Sequence, residues 1–128
     1  VFNQGQMKRD FTYIDDIVSG VLLVADRPAT SNTNFDRQRP DPSSSTAPYK
    51  LYNIGNSSPV PLLEFIEAIE KGLGKKAKME FLPMQPGDVV ETHADISDLV
   101  KDMGYEPKTS VAHGVAEFTK WYMNFYQF

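Results

Sequence analysis

Two short stretches of this sequence carry side chains able to hold a ligand. The first is Lys8-Arg9-Asp10-Phe11. A guanidinium at Arg9 can grip a phosphate through two parallel N–H bonds, a geometry lysine cannot copy. The same arginine can instead pair with Asp10 or Asp15 at the surface, and the residues alone leave both readings open. The second stretch is Met84-Gln85-Pro86-Gly87-Asp88. Proline followed by glycine marks a tight turn in which glycine takes positive φ. Across that turn Gln85 can donate from its amide and Asp88 can accept hydroxyl protons. The plainer reading is a turn stabilised by its own aspartate.

No other pattern in the chain points to a reaction. There is no Gly-x-Gly-x-x-Gly, so no local glycine loop cradles a dinucleotide pyrophosphate. His93 and His113 stand apart without metal-ligand spacing, and no Ser/His/Asp arrangement marks a nucleophile. Asp15 and Asp16 fall on adjacent helix positions, which do not face each other, and read as charges at a helix start. On its own residues the chain has no catalytic centre, no cofactor cradle and no metal site.

Bulk properties narrow the partners. The 128 residues suit one small domain. Thirteen basic residues against 17 acidic give a net charge of −4, which argues against non-specific nucleic-acid or anionic-membrane binding. An anionic ligand must therefore be held by a few local donors. With no cysteine there are no disulfides or thiolate metal sites, which is compatible with a reducing cytoplasm. No apolar run approaches the ~20 residues that span a bilayer. The chain opens at Val1-Phe2 as though entering mid-strand.

The elements that must position these residues follow from periodicity. Phe11 to Tyr13 reads as a strand, followed by a helix opened by Asp15-Asp16 and stopped by Pro28, with Ile14, Val18, Val21, Leu22 and Ala25 at helical spacing. Residues 28–48, with four prolines and no aliphatic residue larger than alanine, are expected to form a mobile surface loop. Tyr49 to Ile54 alternates as a strand should, then turns at Gly55 to Pro59. Pro61 starts a helix striped by Leu62, Phe65, Ile66, Ile69 and Leu73 and closed by Gly74. Lys78 to Leu82 is a further candidate strand. Asp95 caps a short helix ending at Gly104, and Thr109 or Ser110 caps a last one with Val111, Val115, Phe118, Tyr122 and Phe125 on one face. The strand at 49–54 has no partner of matching length, so it is expected to join a larger sheet.

Arg9-Asp10-Phe11-Thr12-Tyr13-Ile14-Asp15-Asp16-Ile17-Val18 is similar to the "RDFTYIDDIV" segment of nucleotide-sugar epimerases in the extended short-chain dehydrogenase/reductase superfamily. Ala47-Pro48-Tyr49 leading into Tyr52-Asn53-Ile54-Gly55-Asn56, then Gln85-Pro86-Gly87-Asp88-Val89, then Trp121-Tyr122, agree with the same family in order and rough spacing. The "QPGDV" form resembles the UDP-glucuronate 4-epimerase branch.

That resemblance implies an α/β fold, the C-terminal substrate-binding portion of a Rossmann-type epimerase, with few strands and about four helices. It implies that an N-terminal domain absent from these residues carries NAD and the Tyr-x-x-x-Lys catalytic pair. Tyr13 and Lys50 do not stand in that motif. Carried over by position, Phe2 resembles the aromatic beside the uracil, Arg9 the arginine on the diphosphate, and Asp88 the aspartate on the ribose. Gln85 stands where galactose-type epimerases have a second phosphate-binding arginine. The implied reaction interconverts UDP-glucuronate and UDP-galacturonate through a 4-keto sugar, in cytoplasmic polysaccharide-precursor synthesis. The intact enzyme is expected to be a homodimer, and these residues alone an inactive monomer. A UDP-glucuronate decarboxylase, a sugar-nucleotide 4,6-dehydratase and a non-catalytic UDP-binding module are the alternatives.

Overall fold

The computed structural model describes residues 1–127. Four helices carry the fold: α1 (Ile14–Ala25), α2 (Leu62–Leu73), α3 (Ser97–Met103) and α4 (Val111–Tyr126). Two two-residue strands, β1 (Lys8–Arg9) and β2 (Val60–Pro61), pair antiparallel with Lys8 opposite Pro61 and Arg9 opposite Val60. On its other side β1 meets the chain at 90–92. The Lys8 N–H donates to the Val90 carbonyl at 2.9 Å, and the Thr92 N–H to the Lys8 carbonyl at 3.3 Å. Short as it is, β1 is therefore held from both flanks.

Local chemistry explains most helix ends. The Ser110 hydroxyl accepts the His113 N–H at 3.3 Å, the capping expected of it. Asp95 acts one residue before the formal cap of α3, accepting the Ser97 N–H at 3.0 Å and the Ser97 hydroxyl at 2.6 Å. Gly74 and Gly104 close α2 and α3 in the left-handed conformation, at φ of 64° and 69°. Pro61 lies just ahead of α2 as its cap, in β2.

The core is small. Leu99 and Tyr105, each 1% exposed, join Ile96 and Met103, with Leu23, Val24, Tyr52, Ile54 and Ala94 packed around them. The Tyr105 hydroxyl, buried among apolar groups, donates to the Gly55 carbonyl at 3.2 Å. A second contact joins α2 to α4, where Gly72 lies against Thr119, itself buried.

Three expected strands are absent among the described residues. Phe11 to Tyr13, Tyr49 to Ile54 and Lys78 to Leu82 are extended but form no ladder; 49–54 makes one isolated bridge, Lys50 to Ser44. Tyr52 and Ile54 are half-buried while Leu51 and Asn53 are exposed, so the period-two pattern reports which side is covered and not a hydrogen-bonded neighbour. Two helical stripes also differ from expectation. In α1, Ile14, Val18, Val21 and Leu22 are 46–64% exposed, and the inward face is Ile17, Gly20, Leu23 and Val24. In α4 the covered line runs through Val115 and Thr119, leaving Phe118, Trp121 and Phe125 at the surface. Residues 28–48 form an irregular surface loop with a bridge between Ser31 and Pro48 and repeated Asx turns at Asn32, Asp36 and Asp41.

Candidate nucleotide-sugar site

Arg9 ends β1, and its side chain folds back along the strand edge. One guanidinium nitrogen, Nη1, donates to the Lys8 carbonyl at 2.8 Å and the Val90 carbonyl at 3.2 Å. The other, Nη2, reaches Asp88 Oδ1 at 3.0 Å in an ion pair whose side chains are 22% and 34% exposed. Asp88 Oδ1 also accepts the Val89 N–H at 2.8 Å, which fixes the carboxylate at the exit of its turn. The turn is the one the sequence calls for. The Asp88 N–H donates to the Gln85 carbonyl at 3.1 Å, and Gly87 takes φ 85°.

Two residues 79 positions apart are thus brought into contact, and the partner of Arg9 is Asp88 instead of Asp10 or Asp15. Gln85 is exposed on the far side of the turn. Phe2 is 40% exposed in a short 3-10 turn spanning Phe2–Gly5. That turn is tied to the segment leading into residue 85: the Gln4 N–H donates to the Leu82 carbonyl at 3.1 Å and the Leu82 N–H to the Val1 carbonyl at 2.9 Å. Phe2, Gln85 and the Arg9–Asp88 pair therefore sit along connected backbone, though no bond links the Phe2 or Gln85 side chains to the pair among the described residues.

Asp10 is the residue that sequence reasoning undervalued. Its Oδ2 accepts the N–H groups of Ser57 at 3.0 Å and Ala94 at 3.1 Å, and its Oδ1 accepts that of Ser58 at 3.1 Å. Its own N–H donates to Thr92 Oγ1 at 3.1 Å. One carboxylate so pins the 55–58 turn and the 92–94 segment to the end of β1, next to Arg9. An ionised carboxylate suits this task because its two oxygens accept several bonds at once. Ser57, at φ 53°, is held in a conformation uncommon for a residue with a Cβ.

His93 is not isolated either, since its Nε2 lies 3.1 Å from Ser57 Oγ. This is no catalytic triad: the carboxylate beside it, Asp10, is occupied by backbone N–H groups. Tyr13 meets His113 edge-on at 6.5 Å, and Lys50 pairs with Asp98 at 2.9 Å while lying over the Tyr52 ring. Hydrogen bonding to Asp98 holds the Lys50 ammonium above its ordinary range. The Tyr52 hydroxyl donates to Asp102 at 3.0 Å, so this network ties the extended 49–54 segment to α3.

A cleft of about 510 Å³ opens elsewhere, walled by Phe11, Tyr13, Phe65, Ile69, Val115 and Phe118, with Phe11 and Phe65 stacked at 3.9 Å. It has no charged lining residue and is unsuited to an anion. Among the described residues no group of three His, Asp or Glu side chains could hold a metal ion, and no helix is long and apolar enough to cross a membrane.

Comparison with known proteins places this geometry in context. No family model matches the chain. "Protein CapI" of Staphylococcus aureus is 50% identical over 127 residues, covering 99% of this chain and 38% of that protein. UDP-glucuronate 4-epimerase 5 of Arabidopsis thaliana is 41% identical over 125 residues, covering 97% and 28%. A crystal structure of a UDP-glucuronic acid 4-epimerase variant from Bacillus cereus, in complex with UDP-4-deoxy-4-fluoro-glucuronic acid and NAD, superposes with a TM-score of 0.74 at 28% identity, over 98% of this chain and 35% of that one. The chain thus spans well under half the length of these relatives. Matched almost end to end in sequence and in backbone, it belongs to the nucleotide-sugar epimerase family of the extended short-chain dehydrogenase/reductase superfamily.

Proposed function

We propose that these residues are the substrate-binding part of a UDP-glucuronate 4-epimerase, with Arg9 on the diphosphate, Asp88 on the ribose, Phe2 beside the uracil and Gln85 at the edge of the nucleotide. The observation that carries the proposal is the Arg9–Asp88 pair. Two side chains of opposite hydrogen-bonding character converge at 3.0 Å from a strand end and a turn, inside the two motifs that resemble the family. A donor beside an acceptor suits a ligand in which a phosphate adjoins a hydroxylated ring. Support for the glucuronate branch comes from sequence: Gln85 replaces an arginine, and Arabidopsis UDP-glucuronate 4-epimerase 5 is 41% identical.

In this reading NAD and the residues that move the hydride and the proton lie outside these 128. The chain has no Gly-x-Gly-x-x-Gly, and its described strands are two residues long and antiparallel, so it offers no parallel strand–turn–helix unit for a pyrophosphate. The unpaired 49–54 segment and the uncovered apolar face of α1 support a larger sheet and a neighbouring layer in the intact enzyme. The chain's own contribution is to bind and orient the UDP group, so that the sugar is presented to chemistry supplied from the other wall. The enzyme is a cytoplasmic homodimer on the same reading.

The test is product identity. The intact enzyme, given UDP-glucuronate, is expected to yield UDP-galacturonate by chromatography against standards. UDP-xylose would assign it to decarboxylation, and a 4-keto-6-deoxy product to dehydration; either overturns the proposal. The 128 residues alone are expected to show no turnover and UDP binding weaker than micromolar by calorimetry.

A further inference from the structure

We infer that Asp88 is a selectivity element that excludes bare anions from Arg9 and admits only those carrying an adjacent hydroxyl. The inference rests on the UDP-sugar reading and deepens it. Arg9 Nη1 is committed to the Lys8 and Val90 carbonyls, so the guanidinium cannot swing away, and Nη2 faces Asp88 Oδ1. That oxygen is fixed in turn by the Val89 N–H, and the carboxylate stands at the end of a tight turn with Gly87 at φ 85°. Asp88 Oδ2 has no hydrogen-bond partner among the described residues. The site therefore presents guanidinium N–H donors and a carboxylate acceptor side by side, in fixed relation.

An inorganic phosphate or pyrophosphate arriving at Arg9 meets the Asp88 carboxylate as a like charge and offers it no proton to accept when fully ionised. It must compete with Asp88 for the guanidinium without any return contact. A nucleoside diphosphate carries the same anion, and its ribose hydroxyls can donate to Oδ2, which offsets the repulsion. Discrimination of this kind comes from the repulsive element as much as from the attractive one. The chain's net charge of −4 acts in the same direction but without regard to position.

The experiment measures inhibition of UDP-glucuronate turnover in the intact enzyme by pyrophosphate and by UDP, in the wild type, Asp88→Asn, Asp88→Ser and Arg9→Ala. Asp88→Asn is expected to tighten pyrophosphate inhibition by about fivefold, the upper range for releasing a partly exposed ion pair. It is expected to weaken UDP inhibition by about tenfold through loss of a charged acceptor. Asp88→Ser removes the charge with a smaller side chain and should move both constants in the same directions. If pyrophosphate inhibits both Asp88 variants no better than the wild type, Asp88 merely orients Arg9 and the inference fails, while the nucleotide site stands. If Arg9→Ala leaves UDP inhibition unchanged, the nucleotide-site reading itself fails, and the inference with it.

Discussion

Arg9 and Asp88 are each ordinary as isolated residues, and their proximity is what gives them a role. Lysine in place of Arg9 would keep the charge but could not serve two carbonyls and a carboxylate from one planar fork. Arg9→Lys in the intact enzyme is therefore expected to raise the KM for UDP-glucuronate by a cost of ~1–3 kcal/mol; an unchanged KM would make Arg9 structural. Both residues were legible in the sequence because each lies within a local motif, a basic residue at a strand edge and a Pro-Gly turn. Asp10 was not. Its donors lie 47, 48 and 84 residues away, and nothing local distinguishes a carboxylate that gathers three backbone N–H groups from one that faces water. Ser57 and His93, 36 residues apart, were hidden for the same reason.

Among the elements, the helices were read well and the strands poorly. Helix α2 needs only its own stripe, cap and C-terminal glycine to be recognised, and all three are present. A strand needs a neighbour, which the alternation of Tyr49 to Ile54 cannot supply. The covered faces of α1 and α4 also escaped, because size misled: Gly20 and Thr119 face inward while Leu22 and Trp121 face out. Close approach explains why small residues line these faces. A Cβ on Gly72 would fall 2.3 Å from Thr119 Oγ1, whose hydroxyl already donates to the Ala116 carbonyl. Although alanine is the better helix former, Gly72→Ala is expected to destabilise the fold by about 1–3 kcal/mol through overpacking of α2 on α4. Thermal unfolding checks it, and a raised Tm would deny the close contact. Ser110→Ala removes the cap of α4 and should cost about 1 kcal/mol in the same assay.

For the molecule as a whole, carboxylates that bond backbone N–H groups set the response to acid. Burial opposes the charge of Asp16, but the N–H groups of Lys108 and Thr109, aided by the Thr109 hydroxyl, outweigh it and hold this carboxyl below its ordinary value. Hydrogen bonds from Ser97 lower Asp95, and those from Ser43 lower Asp41. A carboxyl with a depressed folded pKa contributes stability above its unfolded value, near pH 4, and that contribution is lost as pH falls through the folded value. Urea midpoints should therefore hold between pH 7 and 5 and drop toward pH 3. Asp16→Asn should flatten that drop, since Asp16 ties the start of α1 to residues 108 and 109. An unchanged pH slope in Asp16→Asn would remove it from the account. At this scale, the resemblance carried more of the reading than the pattern of elements did, because the pattern describes half of an arrangement whose sheet is incomplete among the described residues.

A crystal structure of the intact enzyme with UDP tests the central claim most directly. It is expected to show Arg9 nitrogen atoms within about 3 Å of a diphosphate oxygen and Asp88 accepting from a ribose hydroxyl. UDP bound elsewhere, with Arg9 still engaged only by Asp88 and the carbonyls of Lys8 and Val90, would contradict it.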